Sequence, residues 1–213
     1  MRVIAFNGSP RKNWNTHILL EKALEGARDQ GGETELYHLF DLKYSGCRSC
    51  FACSGPTTVC TGKCVVRDDI QPILHNIDDD TALIFGSPIY FGDVTGAMRN
   101  FLERLMFQYH NIGYDRTVFF KKPVKTAMIY TMGATEEEAE ERGQTPLFLM
   151  NRHCLEMVFG THEYMVSYDT YQHEDYTRFY TLPGVVERKT ERRKTQFIKD
   201  LEKAYDIGAR FAR

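Results

Sequence analysis

Apolar residues along the chain alternate between short continuous runs and stripes at helical spacing. Arg2-Val3-Ile4-Ala5-Phe6 is such a run, and it stops at the turn cluster Asn7-Gly8-Ser9-Pro10. A continuous run of this length fits a strand buried on both faces, as in a parallel sheet. Leu19 or Leu20, Ala23 and Ala27 then recur at helical spacing until Gly31-Gly32 ends the pattern. Thr34 to Leu39 reads as a second strand. Asp68-Asp69 opens a predicted helix containing Ile70, Ile73, Leu74 and Ile77, its acids at the positive end of the helix dipole. A third strand, Thr81 to Phe85, ends at Gly86-Ser87-Pro88. Gly96 to Gln108 follows as a helix, with Met98, Leu102 and Leu105 on one face. Val124 to Tyr130 is a fourth strand, ending at Thr131-Met132-Gly133. Leu147, Met150, Cys154 and Val158 form a helical stripe that places Cys154 in the core. Thr161 to Ser167 is a fifth strand, and Phe197, Leu201, Tyr205 and Phe211 mark a long last helix. Five strands alternating with helices predict an α/β fold, a doubly wound five-stranded parallel sheet with helices on both faces.

Ligands of such sheets sit beyond the carboxyl ends of the strands. Three of those ends carry unusual loops, at 7–16, 87–95 and 131–134. At 213 residues against about 150 per domain, we expect one domain over 1–213. It carries a cysteine-rich excursion at about 44–66 and an aromatic flap at about 162–182. With 42% hydrophobic and 26% charged residues, wholesale disorder is excluded. The formal net charge of −2 argues against a chain built to coat nucleic acid or an anionic membrane. No apolar run approaches the ~18 residues of a membrane span. The start of the chain shows no secretory pattern. The expectation is a cytoplasmic protein.

The first loop, Asn7 to Thr16, crowds hydroxyls, amides and the pair Arg11-Lys12 against a helix N-terminus. Outward-pointing N–H groups there favour an anion, most naturally a phosphate. Ser9, Arg11, Asn13, Asn15 and Thr16 are its candidate partners; the alternative is a polar turn with a helix cap. The loop lacks G-x-x-x-x-G-K-[ST], which counts against ATP or GTP hydrolysis. It also lacks G-x-G-x-x-G, which counts against a dinucleotide held in the Rossmann manner.

Asn7-Gly8-Ser9-Pro10-Arg11-Lys12-Asn13 with Asn15-Thr16 resembles the opening of the NADPH-dependent FMN reductase family, of flavodoxin-like fold. Gly86-Ser87-Pro88-Ile89-Tyr90-Phe91 resembles its second loop, and Gly96 to Arg104 the helix after it. Trp14 stands where the family often has Gly. The resemblance implies that the first loop holds the FMN phosphate and that Pro88, Ile89, Tyr90, Phe91 and Gly92 pack along the isoalloxazine ring. It also implies that Thr131, Met132 and Gly133 contact the ring's other side. A flat amphipathic ring needs an apolar platform, which Tyr90 and Phe91 can supply, and backbone amides at its polar edge. The implied activity is reduction of bound FMN by NAD(P)H and delivery to a small-molecule acceptor, in a homodimer or homotetramer. The flavin carries that chemistry, so no side-chain nucleophile is required. The chain has neither a G-x-S-x-G elbow nor an H-E-x-x-H motif.

Five of the six cysteines lie close together, as Cys47-x2-Cys50-x2-Cys53-x6-Cys60-x3-Cys64. Three at two-residue intervals is a compact run used for iron–sulfur ligation, with Cys60 or Cys64 as fourth ligand. Structural zinc usually pairs two separated arms, and disulfides are disfavoured in the expected compartment. The segment resembles the iron–sulfur flavoproteins, which implies a [4Fe–4S] cluster and an alternative role in electron transfer. It also resembles flavodoxin-like proteins with the same cysteines and no cluster, leaving structural or redox-active thiols open.

Tyr164, Tyr168, Tyr171, Tyr176, Phe179 and Tyr180, with His162 and His173, suggest an aromatic flap or subunit contact rather than a proton donor over the flavin. The acidic run Glu136 to Glu141 and the basic run Arg188 to Lys194 are expected to be solvated helix faces.

Overall fold

The computed structural model describes residues 1–54, 62–109 and 119–213. Strand β1 (Arg2–Asn7) lies between β2 (Glu33–His38) and β3 (Thr81–Tyr90). Both pairings are parallel. Strand β5 (Val124–Thr131) pairs in parallel with β3, and β6 (Gly160–Ser167) with β5. The order is β2-β1-β3-β5-β6, with the two-residue β4 (Asp93–Val94) folded back antiparallel on the end of β3. The five long strands form the expected doubly wound parallel sheet. Its order reverses direction at β1 and β3, the place where such sheets open a crevice.

Alternation along each strand divides the core into two layers. Val3, Ala5, Ala82, Ile84, Ala127 and Ile129 face α1 (Asn15–Asp29) and α7 (Gln196–Phe211). Ile4, Phe6, Leu83, Phe85, Met128 and Tyr130 face the other way. They pack with α2 (Gln71–His75), α3 (Gly96–Phe107) and α5 (Thr145–Phe159). Between them in sequence lie α4 (Glu136–Glu141) and, before α7, α6 (Val185–Lys194).

Three elements differ from their sequence reading. Strand β3 does not stop at Phe85 but runs through Ser87-Pro88 to Tyr90. Its β1 neighbour ends opposite Gly86, so Pro88 sits where β3 has lost one partner strand and an N–H is not needed. Helix α2 starts three residues after Asp68, because both acids are engaged elsewhere. Asp68 pairs with Arg104, and the Asp69 carboxylate accepts from Lys43 N at 2.7 Å. The buried face of α5 is Phe148, Asn151, Leu155 and Val158, not the stripe through Met150 and Cys154. Met150 is exposed and Cys154 half-buried. A polar residue takes the core position: the Asn151 amide donates to the Tyr130 hydroxyl at 3.0 Å and accepts from Arg99 at 3.3 Å.

Candidate functional site

The loops after β1, β3 and β5 meet at the carboxyl edge of the sheet and are bonded to one another. In the first, the Asn7 side chain accepts from Ser9 N at 2.9 Å and contacts His38 Nδ1 at 3.1 Å. The Ser9 hydroxyl accepts from Arg11 N at 3.2 Å. Asn13 adopts the left-handed region, and α1 then starts at Asn15 with no side-chain cap from Trp14. Its first-turn N–H groups are therefore presented at the sheet edge without a capping side chain. The Thr95 hydroxyl ties this loop to the second. It donates to Gly8 O at 2.7 Å and accepts from Met98 N at 3.3 Å, while Thr95 N donates to the Ser87 hydroxyl at 3.1 Å. Gly8 also donates to Gly86 O at 2.7 Å, and a Cβ on Gly8 would meet the Met98 side chain and that carbonyl. The first and third loops join through the hydroxyls of Thr16 and Thr131, 2.8 Å apart.

After Ile89 and Tyr90, a tight turn at Phe91-Gly92 leads into β4. Both residues have positive φ, +51° and +86°, the signature of a two-residue hairpin turn. For a bulky side chain this backbone is unusual, and it leaves the Phe91 ring wholly in solvent. Facing it across a cavity of about 650 Å³ is the turn Met132-Gly133-Ala134. Ile89, Phe91, Gly92, Met132 and Gly133, all expected in the site, line this cavity. Pro88 and Tyr90 are in the same loop but not in the lining, and Thr131 lies buried beneath it against Thr16. Gln144, at the start of α5, also lines the cavity, and its Oε1 is buried without a partner among the described residues. Sequence reasoning missed Gln144, because it lies in none of the three strand-end loops.

The phosphate-loop candidates divide into two groups. Asn15 and Thr16 are buried and engaged: the Asn15 amide donates to Tyr171 O at 2.6 Å and accepts from Arg193 at 3.0 Å, and Thr16 meets Thr131. Arg11 is exposed; it donates to Gln172 O at 2.6 Å and lies over the Trp14 ring at 4.8 Å. Trp14 Nε1 donates to Tyr171 O at 3.0 Å. Trp14 and Arg11 together thus strap the 171–172 segment onto the loop. Ser9 is buried with its hydroxyl bonded to Arg11 N, and Asn13 is exposed.

The aromatic segment beyond β6 is pinned by these bonds and by a stack of His173 on Phe179, with centroids 3.6 Å apart. His162 is elsewhere, within β6. It is buried, and its Nδ1 lies 2.9 Å from the Thr126 hydroxyl. That hydroxyl donates to Thr161 O at 2.7 Å, so its lone pair receives the Nδ1–H, leaving Nε2 bare and without a partner among the described residues. Burial pushes the His162 pKa down to about 4. The basic run is not a solvated face. Lys189 is 2% exposed, Arg192 pairs with Asp200 at 2.9 Å, and Arg193 reaches Asn15 and stacks on Phe197. The acidic run matches expectation: α4 is a short helix with a Thr135–Glu138 capping box and one buried residue, Ala139.

Cys47, Cys50, Cys53 and Cys64 line one small cavity of about 20 Å³; Cys60 lies outside the described residues. Arg104, 1% exposed on α3, anchors the segment. Its Nε donates to Cys64 Sγ at 3.1 Å, and its Nη groups bind Ser45 O, Val66 O and the Asp68 carboxylate. Burial opposes the guanidinium charge, but the Asp68 carboxylate and Cys64 sulfur hold its pKa above the ordinary value. Among the described residues, no three Cys, His, Asp or Glu side chains gather closely enough to share a metal.

A parallel sheet of this order, with three bonded loops at its switch point, defines a flavodoxin-like α/β protein. The chain belongs to the NADPH-dependent FMN reductase family, whose sequence profile matches residues 1–170. It is 36% identical over 135 residues to an iron–sulfur flavoprotein of Archaeoglobus fulgidus, covering 63% of each chain. It is 36% identical over 104 residues to one of Methanocaldococcus jannaschii, covering 49% of this chain and 51% of the relative. The matches thus span between half and two thirds of these relatives' lengths. In fold it is similar to an NAD(P)H:quinone oxidoreductase from Methanothermobacter marburgensis. That likeness has a TM-score of 0.66 at 15% identity and covers 100% of this chain and 98% of the other. It is also similar to an azoreductase from Bacillus anthracis, with a TM-score of 0.62 at 13% identity and 99% and 100% covered. No helix among the described residues is long and apolar enough to cross a membrane.

Proposed function

We propose that the protein is an FMN-binding oxidoreductase in which NAD(P)H reduces the bound flavin and a small-molecule acceptor reoxidises it. The observation that carries this reading is the cavity between Phe91-Gly92 and Met132-Gly133. Its lining includes Gln172, whose carbonyl accepts from Arg11 of the phosphate-type loop, and Gln144, whose buried Oε1 has no partner among the described residues. An amide oxygen in that state awaits a donor, and a heteroaromatic ring with an N–H on its edge supplies one. Ser9, Arg11 and Asn13, with the uncapped start of α1, would hold the phosphate, while Asn15 and Thr16 keep the loop in shape. Bound there, FMN would supply hydride acceptance and electron delivery; the chain's part is to bind, orient and exclude water. Family membership supports the cofactor, and the iron–sulfur flavoprotein relatives support a redox role. The exposed ring of Phe91 and the exposed Tyr180 suit a homodimer or homotetramer that covers the cavity mouth.

FMN titration of the apoprotein, followed by anaerobic mixing with NADH or NADPH, tests the reading. Quenching of flavin fluorescence and bleaching of the oxidised bands are expected. A protein that takes up no FMN, or a bound flavin that stays oxidised with both nucleotides, would overturn it. A second reading is an electron-transfer iron–sulfur flavoprotein with FMN and a [4Fe–4S] cluster. It draws on the four thiols that line one cavity. Iron and labile sulfide analysis of anaerobically purified protein separates the two: their absence removes the second.

A further inference from the structure

Lys189 lies on α6, outside the three loops and beyond the residues the family profile matches. Its ammonium is buried and makes three bonds, to Gly133 O at 2.7 Å, Asp169 Oδ1 at 2.6 Å and Thr170 O at 3.2 Å. The first of these acceptors belongs to the turn that lines the 650 Å³ cavity. Burying a lysine is costly unless it is paired and fully bonded, and here one of its bonds holds the turn while the other two hold Asp169 and Thr170 behind it.

Each carbonyl of that turn is held from behind. Met132 O accepts from Thr170 N at 2.9 Å and from the Thr170 hydroxyl at 3.0 Å. Gly133 O accepts from Lys189, and Ala134 O from Asp169 N at 2.7 Å. No peptide bond among the described residues is cis. In a trans peptide the C=O and the following N–H point in opposite directions. With Met132 O held by Thr170, beyond the end of β6, and Gly133 O by Lys189 of α6, the N–H groups of Gly133 and Ala134 are directed away from both, and both residues line the cavity. Neither has a hydrogen-bond partner among the described residues.

We propose that Lys189 is a positioning residue. By holding the Gly133 carbonyl it aims the Gly133 and Ala134 N–H pair at the electron-rich edge of the bound ring and favours the reduced, negatively charged form. The inference rests on the FMN reading above. Fixed donors aimed where charge develops stabilise it without reorganisation. The ammonium also leaves a positive charge behind the turn. Asp169 shares that charge, and Arg188 bonds Asp169 at 2.8 Å from the solvent side, where water screens its own charge away from the turn.

The test is the dissociation constant of oxidised FMN and the flavin midpoint potential, measured on wild type, Lys189→Met, Thr170→Val and Arg188→Gln. Lys189→Met frees the Gly133 carbonyl, and Thr170→Val frees one bond to Met132 O without unpairing a charge. We expect Lys189→Met to weaken reduced FMN about tenfold more than oxidised FMN, a fall of about 30 mV for a two-electron couple. Thr170→Val should move the potential the same way by less, and Arg188→Gln, which touches no carbonyl of the turn, should leave it in place. Where Lys189→Met fails to fold, Thr170→Val against Arg188→Gln carries the test. An unchanged potential in variants that still bind FMN overturns the inference and leaves the FMN reading standing. A wild-type protein that binds no FMN fails the reading itself. A purely structural lysine would lower the melting temperature and leave the potential alone.

Discussion

Individual residues in this protein do their work through burial. His162 has a pKa near 4 in the fold, against about 6.5 in an unfolded chain. Between those values the unfolded state binds a proton that the folded state refuses, so stability falls as pH drops from 6.5 toward 4. The shift corresponds to about 3 kcal/mol. His162→Gln keeps a donor for Thr126 and removes the titration. Urea unfolding across that pH range should therefore show a flatter acid limb, and an unchanged slope would mean that other groups set it. Arg104 makes a second case. Asp68→Asn leaves a buried guanidinium without its carboxylate and should cost about 3–5 kcal/mol, read as a lower urea midpoint at unchanged slope. The loss should fall on the whole domain, because Arg104 joins the cysteine segment to α3.

Between elements, the closest approach is that of α1 and α7. Gly26 faces the Tyr205 backbone, and Gly208 faces the Ala23 backbone, so a Cβ at either would strike main chain rather than a movable side chain. Two effects oppose each other in Gly208→Ala. Helix propensity favours alanine by about 1 kcal/mol, and overpacking costs typically 1–3 kcal/mol. Since the obstacle is backbone, the second should win, and thermal melting should drop. Helix periodicity identifies α7 but not this contact, because a glycine inside a helix reads only as a weak position. The rotated face of α5 has a similar origin. Hydrophobicity favours Met150 and Cys154, yet Asn151 is inside because Tyr130 and Arg99 bond its amide.

On the scale of the whole molecule, FMN should act as a ligand of the folded state alone. At a hundred times its dissociation constant it should raise stability by about 2.7 kcal/mol, visible as a concentration-dependent melting temperature. Ser9→Ala combined with Arg11→Ala should weaken FMN by at least tenfold, since a hydrogen bond to a charged group contributes about 1.5–3 kcal/mol. Unchanged affinity would place the phosphate elsewhere. Asn15→Ala should act differently: it removes one of the two donors to Tyr171 O and the acceptor of Arg193, so the 171–172 segment should become more accessible to protease along with any loss of affinity.

The succession of strands and helices, the parallel sheet and the three loops were legible in the chain itself, and the strand order within the sheet was not. Continuous apolar runs ending in Gly, Ser and Pro clusters are local signals, and a doubly wound sheet puts such loops on one edge. Ser9 and Arg11 were named from the loop's own chemistry, and Phe91, Met132 and Gly133 from the family resemblance of the second and third loops. The tertiary structure alone decided which groups those loops spend on one another. Thr16 and Asn15 are occupied by Thr131 and Tyr171, residues more than a hundred positions away, and no spacing rule encodes that. It likewise decided that Lys189, one of a basic run, is buried and Gln144 orphaned. Burial and hydrogen bonding depend on what the fold brings opposite a side chain, which patterning along the chain does not record.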